Sequence, residues 1–538
     1  MPHKPCRTPV VLSADAGGHE PAIRWIHDGC PAGHPRLMAR HTRHSNLTPW
    51  IVTALATALT GVAGCTPDAT SAQSGTRTAP TPGAAGIGDT LHPGLGNGGY
   101  TVRHTDLALR FAEDLKTYTA TTTLRGRATH ALSRFDLDLT GTTVRSVTVD
   151  GREATWTRTG QELRVTPADP VPDGRGFSVE VTVHAPVAGP EEAQKLGTSA
   201  IGMVRAKGVV QTINQPSGAH RIAAFADHPA QKAPTTITIA APSRVNAIAN
   251  GELTATRREG VYTVRRFESR HKLAPELIQI GVGHFTVVKR RGPDGIKLRH
   301  ALPTGQVNDL MPQLDTVVPK ALRFLTRRLG PFPLRTYGIY ATPLGGELET
   351  QSLTLLATEE LTKEGMEANG SDTIVAHEIS HEYFGNSVSP RRWSDLWLNE
   401  GHAVYYQGLW SQEAHGTDPA DAMKSAYRDA TAQLRKQGPV ADPRLGAFTP
   451  KDMAPYGWGA YEGGALVLYA LRQKVGEATF QRIERAWVAE HRDSTAGTAD
   501  FIRLASRVAG RDLGPFLRSW LYSTKLPAMP GHPDWHTS

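Results

Sequence analysis

The sequence predicts an α+β protein in which an antiparallel β domain is followed by a mostly helical domain with a small sheet. From Tyr100 to about Val288, short segments alternate apolar and polar side chains and are separated by turn residues, as in strands with one buried face. From about Asp309 onwards, apolar residues recur at spacings of three and four, as on the buried face of a helix. At 538 residues the chain is long enough for several domains.

The composition is that of a globular protein and argues against nucleic acid as a partner. Hydrophobic residues make up 39% of the chain and charged residues 20%. The formal net charge is +8, but residues 1–65 contain six Lys/Arg and three Asp/Glu, so the remainder carries only +5. No Lys/Arg cluster interleaved with aromatic residues accompanies this diffuse charge. We therefore expect no nucleic acid binding, and the oligomeric state stays open.

Residues 1–65 are predicted to be a leader that ends in a signal peptide. Arg40 and Arg43 precede an apolar run from Trp50 to Ala63, which is too short for a membrane span and ends among small residues. A signal peptide normally begins at the start of the protein, whereas this one lies about forty residues in. We therefore expect Met38 to be the true initiator.

The run V-A-G-C that ends at Cys65 resembles a bacterial lipobox, in which the cysteine is lipidated and becomes the first mature residue. This resemblance implies anchoring through Cys65 to the extracellular face of the bacterial cell membrane. The alternatives are a secreted protein that is cut near residues 63–64 and a segment retained as a membrane anchor. The three cysteines lie at positions 6, 30 and 65, so the rest of the chain can form no disulfide.

The elements after the leader follow from composition and periodicity. Residues 66–98 are rich in Thr, Ser, Pro, Gly and Ala and are predicted to be a disordered linker. Residues 99–290 are predicted to be the β domain. In it, Phe135, Leu137 and Leu139 alternate with aspartates, and the pair at 150–151, Asp-Gly, favours a hairpin turn.

Residues 291–530 are predicted to be the helical domain, followed by a tail at 531–538. Helical spacing begins near Asp309 and should end at Gly330, before a proline. Two strands of the small sheet are predicted at Tyr337–Thr342 and Leu353–Ala357. Further helices are predicted around Ala422–Gln437, Tyr461–Val475, Ala478–His491, Ala499–Ala509 and Leu513–Tyr522.

The stretch H-E-I-S-H that begins at His377 carries most of the functional information. His377 and His381 are four residues apart, so on a helix they project from one face, close enough to share a metal ion. Eighteen residues separate the second histidine from Glu400, enough chain to finish one helix and begin another. Two imidazoles and one carboxylate form the ligand set of a catalytic zinc. The sequence therefore predicts one zinc ion per chain, with Glu378 beside its ligands.

H-E-x-x-H, followed by the glutamate of W-L-N-E-G at 397–401, resembles the M1 family of zinc aminopeptidases, gluzincins that include aminopeptidase N and leukotriene A4 hydrolase. The resemblance covers nearly the whole chain after the leader. It implies a thermolysin-like catalytic domain at 291–530. The segment F-L-R-S-W-L at 516–521 resembles the close of that domain, so we expect a short form without the large C-terminal helical domain of bigger family members.

The stretch G-E-L-E-T at 346–350 lies where the family has its G-A-M-E-N signature, about thirty residues before the zinc helix. By resemblance, Glu349 binds the free amine of the substrate, and Gly346 belongs to the same substrate-binding loop. The stretch departs from the signature at three of its five positions, which puts the angle of Glu349 in question. The alternative is that Glu349 is an ordinary loop carboxylate.

Two further residues are assigned by resemblance. The stretch Y-E-G-G at 461–464 is similar to the family's Y-E-K-G segment, whose tyrosine stabilises the oxyanion, so Tyr461 is expected to take that role even though the lysine has become Gly463. Gln215, in N-Q-P-S-G-A-H-R, resembles a glutamine that the amino domain supplies to the substrate pocket. The alternative for Tyr461 is a packed aromatic residue that opens a helix.

The predicted ligands imply a hydrolytic mechanism. Zinc held in this way makes water nucleophilic at neutral pH. Glu378 is placed to accept the proton of that water and to pass it to the leaving amine. The Tyr461 hydroxyl would help to stabilise the negative oxygen of the intermediate. Asp395 or Asn399 is expected to orient a ligand histidine.

We therefore expect a membrane-anchored zinc aminopeptidase that removes N-terminal residues from peptides outside the cell. Two alternatives from other classes stay open. A zinc endopeptidase of thermolysin type needs the same three ligands but no amine anchor, so Glu349 distinguishes it. A non-catalytic peptide-binding lipoprotein on a decayed peptidase scaffold is opposed by the joint presence of ligands, base and tyrosine.

Overall fold

The computed structural model describes residues 79–191, 202–368, 370–444 and 457–538. The predicted leader with Cys65, and the first part of the predicted linker, lie outside these residues. None of the helices that are described is both long enough and apolar enough to cross a membrane. A β-rich region precedes a largely helical one, which confirms the α+β fold class.

The strands of the β-rich region form three sheets. In chain order they are β1 Thr81–Pro82, β2 Tyr100–Phe111, β3 Thr117–Ala128, β4 Leu132–Asp138, β5 Thr143–Val149, β6 Arg152–Glu153, β7 Thr155–Thr159, β8 Glu162–Thr166, β9 Gly176–Pro186, β10 Gly202–Ala206, β11 Val209–Ile213, β12 Ala233–Pro242, β13 Asn246–Ala249, β14 Glu252–Glu259, β15 Tyr262–Leu273 and β16 Ile280–Gly283.

The largest sheet has eight strands in the order β14-β15-β12-β2-β3-β9-β5-β6. Its neighbours are antiparallel, except that β2 and β12 run parallel. Along β3, buried and more exposed residues alternate, as expected of a sheet with one face on the core. The two smaller sheets have the orders β1-β4-β8-β7 and β10-β11-β16-β13. The antiparallel character predicted from the alternation is therefore present, and β2–β12 and β1–β4 are parallel pairs of strands among the described residues.

A five-stranded sheet opens the second region. Its strands are β17 Phe285–Arg291, β18 Lys297–Pro303, β19 Thr336–Tyr337, β20 Ile339–Thr342 and β21 Thr354–Ala357. The strand predicted at Tyr337–Thr342 is split at Gly338, where a Cβ atom would lie 1.8 Å from the carbonyl oxygen of Arg299. The two strands β22 Val388–Pro390 and β23 Ser494–Ala496 pair separately in parallel.

Helices form the rest of the second region. In chain order they are α1 Val307–Leu329, α2 Lys363–Ala368, α3 Asp372–His381, α4 Trp397–His415, α5 Pro419–Gln437, α6 Gly464–Val475, α7 Glu477–Glu490, α8 Thr498–Ala509 and α9 Gly514–Leu521. The helix predicted from Tyr461 differs from the observed one, because a turn of π-helix at Gly459–Gly463 precedes α6.

Buried apolar side chains form two main clusters, one in each region. The β-rich cluster also includes Tyr340 and Leu355 from the five-stranded sheet and Leu353 from the loop just before β21. This sheet therefore packs against the β-rich region, and the loop between β20 and β21 lies where the two regions meet.

The predicted linker at 66–98 requires a correction, because residues 79–98 are packed against the protein. Asp89 is 3% exposed, and its carboxylate accepts hydrogen bonds from the backbone N–H of Trp393 (2.7 Å) and from His228 Nε2 (3.0 Å). Trp393 belongs to the helical region and His228 to the β-rich one. This segment has the composition of a solvated linker, but the carboxylate of Asp89 bonds it to both regions.

Asp89→Asn is expected to lower the free energy of unfolding at pH 7 by about 2 kcal/mol, because a charged acceptor loses strength while its donors stay buried. Burial raises the pKa of Asp89, but the hydrogen bonds from His228 and Trp393 outweigh it and hold the pKa well below its usual value. A carboxylate with a depressed pKa stabilises the fold above its unfolded-state pKa of about 3.9 and loses that contribution as the pH falls further.

Urea unfolding of the parent and of Asp89→Asn measures this effect between pH 7 and pH 3.5. The difference should be constant from pH 7 to 5 and should shrink below about pH 4. The exposed Asp173→Asn is the matched control. A loss that is the same at every pH, or the same in the control, would contradict the assignment.

Candidate active site

Helices α3 and α4 bring the three predicted ligands together. His377 and His381 lie one turn apart on α3, and their Nε2 atoms are 3.1 Å apart. Glu400, in the first turn of α4, places Oε2 3.3 Å from His381 Nε2 and 3.7 Å from His377 Nε2. These three side chains are the group in the described chain whose ligand atoms converge closely enough to hold a metal ion.

The other ring nitrogens of the two histidines have fixed partners. His377 Nδ1 faces the side-chain oxygen of Gln407 at 3.1 Å, and His381 Nδ1 faces the carbonyl oxygen of Phe384 at 3.1 Å. Both oxygens are acceptors, so each Nδ1 carries its hydrogen, and each Nε2 is the atom that would bind a metal ion when the imidazole is neutral. The donor set, two neutral imidazoles and one carboxylate, is the one that catalytic zinc prefers.

Gln407 is a residue that the sequence argument missed. Neither Asp395 nor Asn399 takes the role expected of it, because Gln407 and the carbonyl of Phe384 face the Nδ1 atoms. The Asp395 carboxylate instead accepts from the N–H and the hydroxyl of Thr498, at 2.8 and 2.7 Å. Gln407 lies seven residues after Glu400, two turns along the same helix face, and this spacing is the signal that could have identified it.

The ionisable side chains of this site strongly affect one another's pKa. Burial opposes protonation of His381, but the carboxylates of Glu400 and Glu349 outweigh it and raise its pKa to about 10. Burial also opposes ionisation of Glu400, yet His381 and His377 lower its pKa to about 2. Glu349 and Glu378 are buried beside the same group, so carboxyl groups outnumber imidazoles in the site. A divalent cation held by the ligand set balances such an excess.

Glu378 lies directly after His377 and is 5% exposed. Its Oε2 atom has no hydrogen-bond partner among the described residues. Burial, together with the nearby carboxylates of Glu349 and Glu347, raises its pKa well above the usual value. This oxygen is therefore available to accept a proton from a bound molecule.

Glu349 is presented by the loop between β20 and β21. Leu348 pairs with Leu355 through two backbone hydrogen bonds of 3.0 and 2.9 Å, which keeps the chain extended just before Glu349. Glu349 is 5% exposed, and its Oε1 accepts a hydrogen bond of 2.7 Å from Gln215 Nε2. Gly346 is half-buried at the start of this stretch. The structure thus brings Gln215 and Glu349 together across the two regions.

Tyr461 is half-buried in the π-helical turn and packs with Trp393, Leu396 and Ala460. Two glycines follow it, and the second allows the chain to lie close to α4. A Cβ at Gly464 would lie 2.8 Å from Cα of Gly401, the residue after Glu400. A Cβ at Gly463, where the resembling family has lysine, would lie 2.9 Å from the ring of Trp458. The turn that carries Tyr461 is therefore held against the helix that carries Glu400.

Known proteins of one peptidase family are similar to this chain. Residues 333–520 match the peptidase family M1 domain. Among curated relatives, aminopeptidase M1-B of Oryza sativa is 26% identical over 323 residues, which is 58% of this chain and 36% of the relative. Human aminopeptidase N is 28% identical over 299 residues, or 52% of this chain and 31% of the relative. The chain thus spans about a third of the length of these relatives.

Solved structures match over a larger share of their length. An M1 zinc metallopeptidase from Deinococcus radiodurans is 25% identical and superposes with a TM-score of 0.69, covering 83% of this chain and 99% of that one. A mutant of a two-domain M1 zinc metallopeptidase bound to L-arginine gives the same values. The family resemblance and the fold class predicted from the sequence are confirmed by these matches.

Proposed function

We propose that this chain, which belongs to the M1 peptidases and carries their domain at residues 333–520, is a zinc aminopeptidase that removes N-terminal residues from peptides outside the cell. One zinc ion is assigned to His377, His381 and Glu400, the convergent set between α3 and α4. Relatives named as aminopeptidases and structural neighbours named as zinc metallopeptidases support the activity and the metal.

The buried carboxylate of Glu349 is the observation that carries the aminopeptidase assignment. Burial raises the pKa of Glu349, since the charged form loses its hydration. A substrate ammonium supplies the missing positive charge and a strong hydrogen bond. Gln215 fixes one carboxylate oxygen from the side, at 2.7 Å. An ammonium held at this point places the first peptide bond, rather than an internal one, at the metal site.

The catalytic roles follow from the positions of the side chains. Zinc bound by the ligand set would act as a Lewis acid and promote ionisation of water. Glu378, with its free Oε2, accepts a proton from the attacking water and passes it to the leaving amine. Tyr461 supports the developing negative oxygen through its hydroxyl. Gln407 and the carbonyl of Phe384 keep the histidine rings oriented.

The location outside the cell is part of the proposal. It is motivated by the lipobox-like run that ends at Cys65, a residue outside the described part of the chain. A single acyl chain binds membranes only weakly, so stable anchoring needs the multiple acylation that lipobox processing gives.

Cys65→Ser is expected to abolish anchoring, because the acylated atom is removed. The protein should appear in the medium or accumulate as an unprocessed precursor. Membrane fractionation followed by mass spectrometry of the mature N-terminus measures both outcomes. Unchanged processing and membrane association in the variant would refute the lipoprotein assignment.

Glu378→Gln is expected to lower turnover about 10²- to 10⁴-fold, because the amide cannot accept the proton. Folding and zinc content should be unchanged, since Glu378 is not a ligand. Hydrolysis of aminoacyl-naphthylamides and zinc per chain are the measurements. Chelation should abolish the parent activity and added zinc should restore it. Parental turnover in the variant would remove Glu378 from the mechanism.

Free and N-acetylated versions of one oligopeptide separate the aminopeptidase from an endopeptidase. The free peptide should be shortened one residue at a time, and the acetylated one should be nearly inert because it carries no charge for Glu349. Glu349→Gln should lower kcat/KM for the free peptide about 10- to 150-fold, the equivalent of a charged hydrogen bond of about 1.5–3 kcal/mol.

The exposed Glu364→Gln is the matched control, and mass spectrometry of the digests identifies the products. Equal cleavage of both peptides, or products from internal bonds, would place the protein among the endopeptidases and leave the zinc ligands in their roles. Peptide binding without any product would instead favour the non-catalytic alternative.

A further inference from the structure

Lys232 is a buried lysine of the β-rich region that reaches into the helical region. It is 6% exposed, and its Nζ donates to the carbonyl oxygens of Asn386 (2.7 Å) and Ser387 (3.1 Å) and to Ser389 Oγ (2.8 Å). An ammonium group has three N–H donors, and each has an acceptor here. All three acceptors lie in the segment 386–389, which directly follows the helix that carries His377 and His381.

The same segment holds the loop of Glu349. The Asn386 side chain donates to the carbonyl oxygen of Glu349 at 2.7 Å and to Glu382 Oε2 at 3.2 Å. Oε1 of Glu382 in turn accepts from the backbone N–H of Ser352 at 2.7 Å. A continuous set of hydrogen bonds therefore runs from the Lys232 ammonium through Asn386 to the main chain of Glu349.

The β-rich region holds this loop at two further points. Asn250 Nδ2 donates to the carbonyl oxygen of Gln351 at 2.7 Å, and the N–H of Gly251 donates to Ser352 Oγ at 2.9 Å. Ser352 has a φ angle of +64°, which is rare for a residue with a side chain. Such a conformation persists where surrounding contacts fix it, as these do.

We propose that Lys232 is a positioning residue for amine recognition: it holds the Asn386–Ser389 segment so that Asn386 keeps Glu349 at the correct distance from the zinc ligands. The proposal rests on the proposed aminopeptidase function. In this proposal the β-rich region positions Glu349 in two ways, directly through Gln215 and indirectly through Lys232.

The burial of this lysine argues against the view that it only joins the two regions. Burial lowers the pKa of Lys232 to about 7, against the opposing pull of Asp493 and Glu276. An apolar side chain of the same length would join the two regions without removing an ammonium from water. What it could not supply is three directed hydrogen bonds that fix the segment bearing Asn386.

The test compares two inhibitors that bind the zinc through the same group, leucine hydroxamate and its des-amino analogue. Only the first has an ammonium for Glu349, so the ratio of inhibition constants, that of the des-amino analogue divided by that of leucine hydroxamate, reports amine recognition, and any change in zinc affinity cancels. Lys232→Met keeps the apolar stem and removes the ammonium. The matched control is Lys297→Met, whose lysine is exposed and bonds Glu252.

In Lys232→Met the ratio should fall about 10- to 100-fold, since displacing a positioning contact by an ångström can cost this much. Turnover of a free peptide should fall mainly through a higher KM. Zinc content should stay at one ion per chain, and the control should match the parent. Ser389→Ala, which removes one of the three acceptors, should move the ratio in the same direction by less, and it carries the test if Lys232→Met does not fold.

A double-mutant cycle with Glu349→Gln supplies the second readout. Because Lys232 acts through Glu349, Lys232→Met should change the ratio little once Glu349 is altered. Lower stability with an unchanged ratio, or additive effects in the cycle, would overturn the proposal. A parent that does not distinguish the two inhibitors would overturn amine recognition itself. The two failures are distinguishable, because the parent still distinguishes the two inhibitors if only the role of Lys232 is wrong.

Discussion

The packing of α3 against α4 is the constraint on which the rest of the site depends. It places a carboxylate oxygen of Glu400 3.3 Å from His381 Nε2 in a position closed to solvent. Charged groups are stable in such a place only when they are paired or bind a metal. The groups that orient the imidazoles come from the same two elements, Gln407 on α4 and Phe384 just after α3. The metal centre is therefore complete within the helical region.

The proposed site for the substrate amine has a different origin, because its residues come from the two regions. Glu349 lies on a loop of the small sheet, but Gln215, Lys232 and Asn250 of the β-rich region fix that loop directly or through Asn386. The ligand set suits an endopeptidase and an aminopeptidase equally well. Under the proposed function, the contacts of the β-rich region with the Glu349 loop make this chain an aminopeptidase, whereas the zinc ligands alone would suit either class.

This division also explains how much the sequence could predict. The ligands follow from a local pattern, since helix geometry alone puts His377 and His381 on one face. The bond from Gln215 to Glu349 joins residues 134 positions apart, and the family resemblance placed both residues at the substrate pocket without predicting the bond. No local sequence pattern predicted that residues 79–98 pack against the protein. Their composition is that of a linker, and the buried carboxylate of Asp89 holds them in place. The π-helical turn before α6 depends on how closely Gly464 approaches Gly401.

The departures from the G-A-M-E-N signature fit a loop that holds Glu349 by other means. Leu348 pairs with Leu355 and packs on the β-rich core, and the Thr350 hydroxyl donates to the carbonyl oxygen of Leu353 at 2.5 Å. Both substitutions thus stabilise the main chain on either side of Glu349. Glu347 is half-buried, and burial, with Glu360 and Glu359 nearby, raises its pKa to about 8. The identity of the pentapeptide is therefore a weaker guide to amine recognition than the set of contacts that fixes its fourth residue.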